Sequence, residues 1–272
     1  MATHDASAAS DASATSADSA ASGASAASAD SAASTDSATS AASAAADESA
    51  AADEFRALLR TLRVWDGVPL PDFDPESAPD SPLPLFRAWL REAAAAGQVE
   101  PHTMSLATAD REGRPSVRTV MLHNADEAGW HFGTHSTSRK GRELAARPDA
   151  ALGFYWPALG RQVRVEGRVA SGTPQDSAAD LHARSTGALA AALTGRMSEV
   201  LGSREELAEA SEAAWQRAQD EPTAISPTWT LYALAATEVE FFQGDARRQH
   251  VRLRYRRADA ASGTWVRELL WP

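Results

Sequence analysis

The chain has 272 residues, no cysteine and a formal net charge of -11. These exclude disulfides, thiolate metal sites and a cysteine nucleophile, and the acidic balance weighs against nucleic acid as a partner. No run approaches the roughly 20 apolar residues that cross a bilayer, so a cytoplasmic protein without membrane contact is expected.

Residues 1–51 are almost entirely Ala, Ser, Asp and Thr and cannot form a core, so they are expected to be a disordered tail. They lack the basic start and apolar centre of an export signal. Residues 52–83 read as a helix followed by a Pro-rich linker, and 84–272 as the folded domain. Phe55, Leu58, Leu59 and Leu62 fall at helical spacing within Asp53–Val64, with Asp53 as its cap, which suits a short docking helix. The prolines from Pro69 to Pro84 then exclude a continued helix. Helical period resumes over Leu85–Ala95, with Phe86, Trp89 and Leu90 as the inward stripe.

After Pro101 the period changes to that of strands. Thr103–Ala109 and Ser116–Leu122 pair across a turn at 110–114, and a second turn at 126–129 leads to Trp130–Thr134. A helix follows Ser138 through Ala146, then strands at Ala150–Trp156 and Gln162–Ala170. Gln175–Leu201 and Arg204–Ala218 read as helices, with breaks at Gly187 and Gly195. Trp229–Phe242, Val251–Arg257 and Thr264–Leu270 return to strand. The composite is a mainly β fold with helices, an antiparallel barrel, with Trp156, Trp229 and Trp265 in its packing or an interface.

Arg118, Thr134, Arg139 and Lys140 supply forked guanidinium, ammonium and hydroxyl donors suited to a phosphate, and a helix beginning at Ser138 would add free backbone donors. The same residues equally suit a capped surface helix and an ordinary ion pair. Gln162 lies on an alternating strand, where an inward amide would meet a planar heterocycle and an outward one would meet water. Arg248, His250 and Arg252 share one face if their segment is extended, as they also would on a solvated strand. The histidines show no metal-ligand spacing, so no metal is expected.

With these motifs in hand, the chain from about Pro84 to Pro272 resembles the pyridoxamine 5'-phosphate oxidase family of FMN-binding split barrels, and Ser105–Trp156 is most similar to its phenazine-biosynthesis branch. The resemblance implies a homodimer with FMN at its interface. It implies FMN contacts from Arg118, Thr119, Val120, Thr134, Arg139, Lys140, Gln162, Ser198, Phe242 and Arg252. Arg248 and His250 are implied over the substrate, orienting a polar group and assisting proton movement as hydride passes to the flavin, which dioxygen reoxidises.

The chain departs from the family at several positions. Phe242 replaces a tryptophan, losing its indole donor; Met197 replaces a glutamine; Gln249 and Val251 replace an aliphatic and an acidic residue. The substrate-phosphate set of lysine, tyrosine, arginine and serine becomes His123, Asp180, Arg184 and Ala188. An unpaired Asp180 would repel phosphate, so the expected substrate is a non-phosphorylated cyclic carboxylate such as a dihydrophenazine precursor. The alternatives are a pyridoxine or pyridoxamine 5'-phosphate oxidase, a non-catalytic flavin-binding protein, and a flavin or deazaflavin reductase.

Overall fold

The computed structural model describes residues 47–259 and 263–272. Most of the expected tail lies outside these, but residues 47–51 are helical and belong to α1, 47–61. Phe55, Leu58 and Leu59 of α1 and Leu62 just past its end are exposed, and Asp53 sits inside the helix instead of capping it. Of the described residues, 47–63 belong to one unit and those from Val64 to Pro272 to a second.

The second unit is an antiparallel sheet surrounded by helices: α2 (Pro82–Ala95), β1 (Thr103–Ala109), β2 (Pro115–Met121), β3 (Asn124–Asp126), β4 (Gly129–His135), α3 (Arg139–Ala146), β5 (Asp149–Trp156), β6 (Arg161–Ser171), α4 (Pro174–His182), α5 (Thr186–Thr194), α6 (Arg204–Asp220), β7 (Trp229–Gln243), β8 (Val251–Arg257) and β9 (Trp265–Leu269). The strand order is β2-β1-β5-β6-β7-β4-β3, and β8 joins β7 to β9. This curled sheet is the split barrel.

Pro82 and Pro84 lie in the first turn of α2, not in a linker ahead of it. A proline there forfeits no helical hydrogen bond, because first-turn N–H groups have no intrahelical partner. The expected break at Gly187 falls earlier, because Ser185 accepts from Ala188 N–H and starts α5. Gly195 ends that helix in the left-handed conformation, where a Cβ is costly.

β7 is the spine. β6 pairs along most of one edge, whereas the other edge is shared, with β4 on Trp229–Leu234 and β8 on Glu238–Gln243. The β6–β7 register shifts at Glu166/Gly167, and a Cβ on Gly167 would stand 2.1 Å from Ala235 O. Only glycine permits that approach. The core between sheet and α2 is aromatic: Phe86 meets Phe154 at 5.0 Å and Trp130 at 5.5 Å, and Trp89 meets Phe241 at 5.1 Å. Of the three tryptophans expected in packing, Trp156 is fully buried, while Trp229 and Trp265 are half-buried against hydrophobic clusters.

Phe86 has no exposed surface. Phe86→Ala is expected to lower the free energy of unfolding by about 3–5 kcal/mol, read from denaturant titrations.

Candidate functional site

Three clusters gather nearly all of the residues singled out above. The first surrounds the start of α3. Ser138 caps it, its Oγ accepting from Gly141 N–H and donating to His135 O. Arg139 N–H donates to Ser198 Oγ at 3.2 Å. Lys140 is buried, and its ammonium donates to Thr134 Oγ1 at 3.1 Å and Met197 Sδ at 3.2 Å, two neutral partners. Burial, aided by the Arg118 charge, lowers its pKa against the pull of Glu143.

Glu143 organises the remainder. Its carboxylate accepts from Thr108 and Ser116 hydroxyls, Arg118 Nη2 at 3.1 Å and Arg139 Nε at 2.8 Å. Burial opposes its ionisation, but the hydrogen bonds from Ser116, Thr108, Arg139 and Arg118 outweigh it and bring the carboxyl down to about 2. Arg118 also donates to Leu106 O and Thr108 Oγ1, which fixes its plane. Three cations against one carboxylate leave a positive excess beside a helix N-terminus and two hydroxyls. On β2, Arg118 and Val120 are half-buried, whereas Thr119 is exposed between them.

The second cluster adjoins the first through Gly133, where a Cβ would stand 2.7 Å from the His123 ring and 2.5 Å from that of Trp229. His123 Nδ1 lies 2.7 Å from Asp180 Oδ1, Trp229 Nε1 donates to Asp180 Oδ2 at 3.1 Å, and Arg184 donates to His123 Nε2. A guanidinium only donates, so Nε2 is the acceptor and Nδ1 carries the proton given to Asp180. Burial raises the Asp180 pKa, but the His123 hydrogen bond and charge, Trp229 and Arg184 together lower it below the usual range. Ala188 lies apart from this hydrogen-bonded set, in the first turn of α5.

The third cluster is a cross-strand row: Gln162 pairs with Phe242, and Phe242 with Arg252. Arg252 forks onto buried Glu240 at 2.8 and 3.0 Å and donates to Trp271 O. Arg248 and His250 do not continue this row as an extended strand. They lie in a turn before β8, with Arg248 left-handed at φ 65. Asp245 builds the turn: its carboxylate accepts from Arg247 and Gln249 N–H, and its own N–H donates to His250 Nδ1 at 3.0 Å. The Gln249 bond, against some desolvation and with help from Arg247, holds the Asp245 carboxyl below its usual range.

Residues 90–218 match the family described as Pyridoxamine 5'-phosphate oxidase, and 229–272 its Pyridoxine 5'-phosphate oxidase C-terminal dimerisation region. The chain is 43% identical over 72% of its length to 90% of a Pyridoxine/pyridoxamine 5'-phosphate oxidase of Pseudomonas fluorescens, and 44% identical over 71% to 90% of one from Salinibacter ruber. The chain belongs to the pyridoxamine 5'-phosphate oxidase family. PhzG from Burkholderia lata, solved with tetrahydrophenazine-1-carboxylic acid, superposes with a TM-score of 0.69 at 31% identity, covering 76% of this chain and all of that one. A pyridoxamine 5'-phosphate oxidase-related, FMN binding protein of Nostoc punctiforme shares the fold at a TM-score of 0.54 and 22% identity over 69% of this chain and 97% of that one.

As a member of this family, the chain is an FMN-dependent oxidoreductase. Its first cluster fits the phosphate end of that cofactor: a buried ammonium with only neutral direct partners, two arginines and a capped helix start form a donor set with excess positive charge. No described helix is long and apolar enough to cross a membrane. Sequence reasoning missed Glu143, Asp245, Glu240 and the place of Trp229 beside Asp180. Glu143 had a signal, its i,i+4 spacing from Arg139 on a helix; Asp245 had another, as a turn-former two residues ahead of the backbone it binds.

Because the folded pKa of Glu143 is depressed, its stabilisation is present above its ordinary value of 4.5 and lost as pH falls through about 2. Glu143→Gln is expected to remove about 3 kcal/mol of pH-dependent stability over that window, seen as a flatter acid-unfolding profile.

Proposed function

We propose that the chain oxidises a pyridoxine- or pyridoxamine-type 5'-phosphate at a flavin held between two copies of the chain. Relatives with 40–44% identity over nine tenths of their own length carry that name. The geometry that carries the reading is the pairing of Asp180. Both Asp180 oxygens are turned onto protein donors, His123 and Trp229, and the Arg184 guanidinium nearby offsets the charge that would repel phosphate. Arg184 bonds only to His123 from this side, and its buried Nε has no partner among the described residues. A phosphate entering the pocket takes the guanidinium from His123, which stays held by Asp180 at its other nitrogen.

The two-chain site follows from β7. Thr134 pairs with Thr230 and Gln162 with Phe242, and that stretch of strand runs roughly 40 Å at about 3.3 Å per residue. A flavin nucleotide is shorter than this path. The cradle of one copy and the Gln162–Phe242–Arg252 row of the other together complete one site, joined through the region matching the family's dimerisation segment.

When bound, FMN supplies the hydride acceptor and is reoxidised by dioxygen. Arg118, Thr134, Arg139, Lys140 and Ser198 hold its phosphate and ribityl oxygens, and Thr119, Val120, Gln162, Phe242 and Arg252 its ring and flanks. Arg248 and His250 face the substrate. Since His250 Nδ1 accepts from Asp245 N–H, the neutral ring carries its proton on Nε2 and offers a donor. His250 thus orients a substrate oxygen or nitrogen instead of abstracting a proton, which narrows the role expected from the sequence.

A second reading, oxidation of a non-phosphorylated dihydrophenazine-type carboxylate, is favoured by one observation: Asp180 cancels the charge of Arg184 in the resting pocket, and Ala188 offers no side-chain donor. Anaerobic bleaching of the FMN-loaded protein separates the readings. Pyridoxamine 5'-phosphate is expected to bleach the flavin; bleaching by a dihydrophenazine carboxylate alone would replace the first reading with the second. Replacing Arg139 and Lys140 together by Ala is expected to raise the FMN dissociation constant by about 10- to 100-fold, the equivalent of a charged hydrogen bond or two, measured by flavin fluorescence quenching; an unchanged constant removes them from the cofactor site.

A further inference from the structure

Trp65 lies near the start of the second unit, ahead of α2. It opens a turn closed by Val68 N–H to Trp65 O, in a left-handed conformation (φ 57) that a bulky side chain adopts only when its surroundings hold it there. The surroundings are the third cluster. The Trp65 ring lies 6.3 Å from Phe242 and meets His250 edge-on at 5.8 Å, while Phe242 and His250 are 5.1 Å apart.

Two glycines make the room. A Cβ on Gly244 would stand 2.6–2.9 Å from the Trp65 ring, and one on Gly160 would stand 2.6 Å from Leu70 and 3.4 Å from the ring. Gly244 N–H donates to Gly160 O at 2.8 Å, so the indole covers the joint between the start of β6 and the end of β7. Gln162 and Phe242 each lie two residues from that joint. Trp65 Nε1 is itself buried without a hydrogen-bond partner among the described residues, and a buried donor of this kind is costly unless something arrives to accept from it.

We propose that Trp65 is a positioning residue that supplies, from the N-terminal segment, the indole that position 242 lacks: its ring braces Phe242 and His250, and its N–H is the donor for a polar atom of the bound ligand. This inference rests on the placement of Phe242 and His250 at the flavin and substrate proposed above. It accounts for three features together: a phenylalanine at 242, a glycine rather than any larger residue at 244, and an unpaired buried indole N–H.

The test compares FMN-loaded W65F, G244A, W65F/G244A and W65F/F242W with wild type and with His250→Ala. FMN affinity is read by flavin fluorescence quenching, the flavin environment by its visible absorption, and turnover by anaerobic reduction. W65F is expected to weaken FMN binding and slow reduction by about 2- to 10-fold, the equivalent of one aromatic pair, and to shift the bound-flavin spectrum. G244A, which retains the indole but displaces it, is expected to do the same and remains readable if W65F does not fold. W65F/G244A is expected to be no worse than W65F, because the smaller ring leaves space for the methyl, and W65F/F242W to recover most of the loss.

If W65F and G244A both leave affinity, spectrum and rate within about twofold of wild type while His250→Ala abolishes reduction, the inference fails and the proposed site stands. If His250→Ala reduces flavin at the wild-type rate while the Trp65 variants shift FMN affinity and spectrum as expected, the role proposed for His250 fails and the assignment of Trp65 stands.

Discussion

The path of β7 governs the rest of the molecule. A 15-residue strand with β6 along one edge must divide its other edge between two partners, β4 and β8. β4 delivers Thr134 and the start of α3 to one end, and β8 delivers Arg252 and the turn before it to the other. Cationic cradle and aromatic signature are therefore separated by the backbone ladder itself. No side-chain adjustment brings them together, because moving either would break paired N–H and C=O groups inside the sheet. In the proposed site a flavin meets both ends by lying between two chains, which would make assembly and cofactor binding two aspects of one constraint.

Each cluster is built around a carboxylate that touches no ligand in the proposed chemistry. Glu143 gathers Arg118, Arg139 and two hydroxyls; Glu240 receives the fork of Arg252; Asp180 fixes His123 and Trp229; Asp245 folds the turn that carries Arg248 and His250. Long cationic side chains lose rotamer freedom when a ligand orders them. A fixed acceptor does that ordering in the folded state, so the donors are already aimed when an anion arrives. The positive excess survives at the cradle because three cations share one acid there, whereas at Asp180 one acid faces one arginine and one imidazole.

β1 was legible in the sequence because one of its faces is buried. Every second residue of it is buried, a pattern of period two that the order of the residues displays. Ser138 was equally readable as a helix start, since its hydroxyl accepts an orphan N–H group of the turn that follows. The failures share a cause in tertiary context. Pro82 and Pro84 look like helix breakers until the helix is seen to begin with them. Arg248, His250 and Arg252 look like one face of a strand until Asp245 folds the first two into a turn. Trp65 has no local signal for its role, since nothing in residues 64–70 records that Gly160 and Gly244 meet beneath the ring.

The substrate pocket shows why a substitution list misleads without geometry. Read by position, Asp180 in place of a tyrosine adds a negative charge where a phosphate should sit. Read in space, that carboxylate is turned away from an incoming anion: one oxygen meets the imidazole of His123 and the other the indole N–H of Trp229. What it changes is the mobility of the group at position 123. His123 is held between Asp180 and Arg184, so an imidazole fixed on both sides stands where a lysine would swing freely. The ordering that a ligand would otherwise impose on a long cationic side chain is already present in the folded protein.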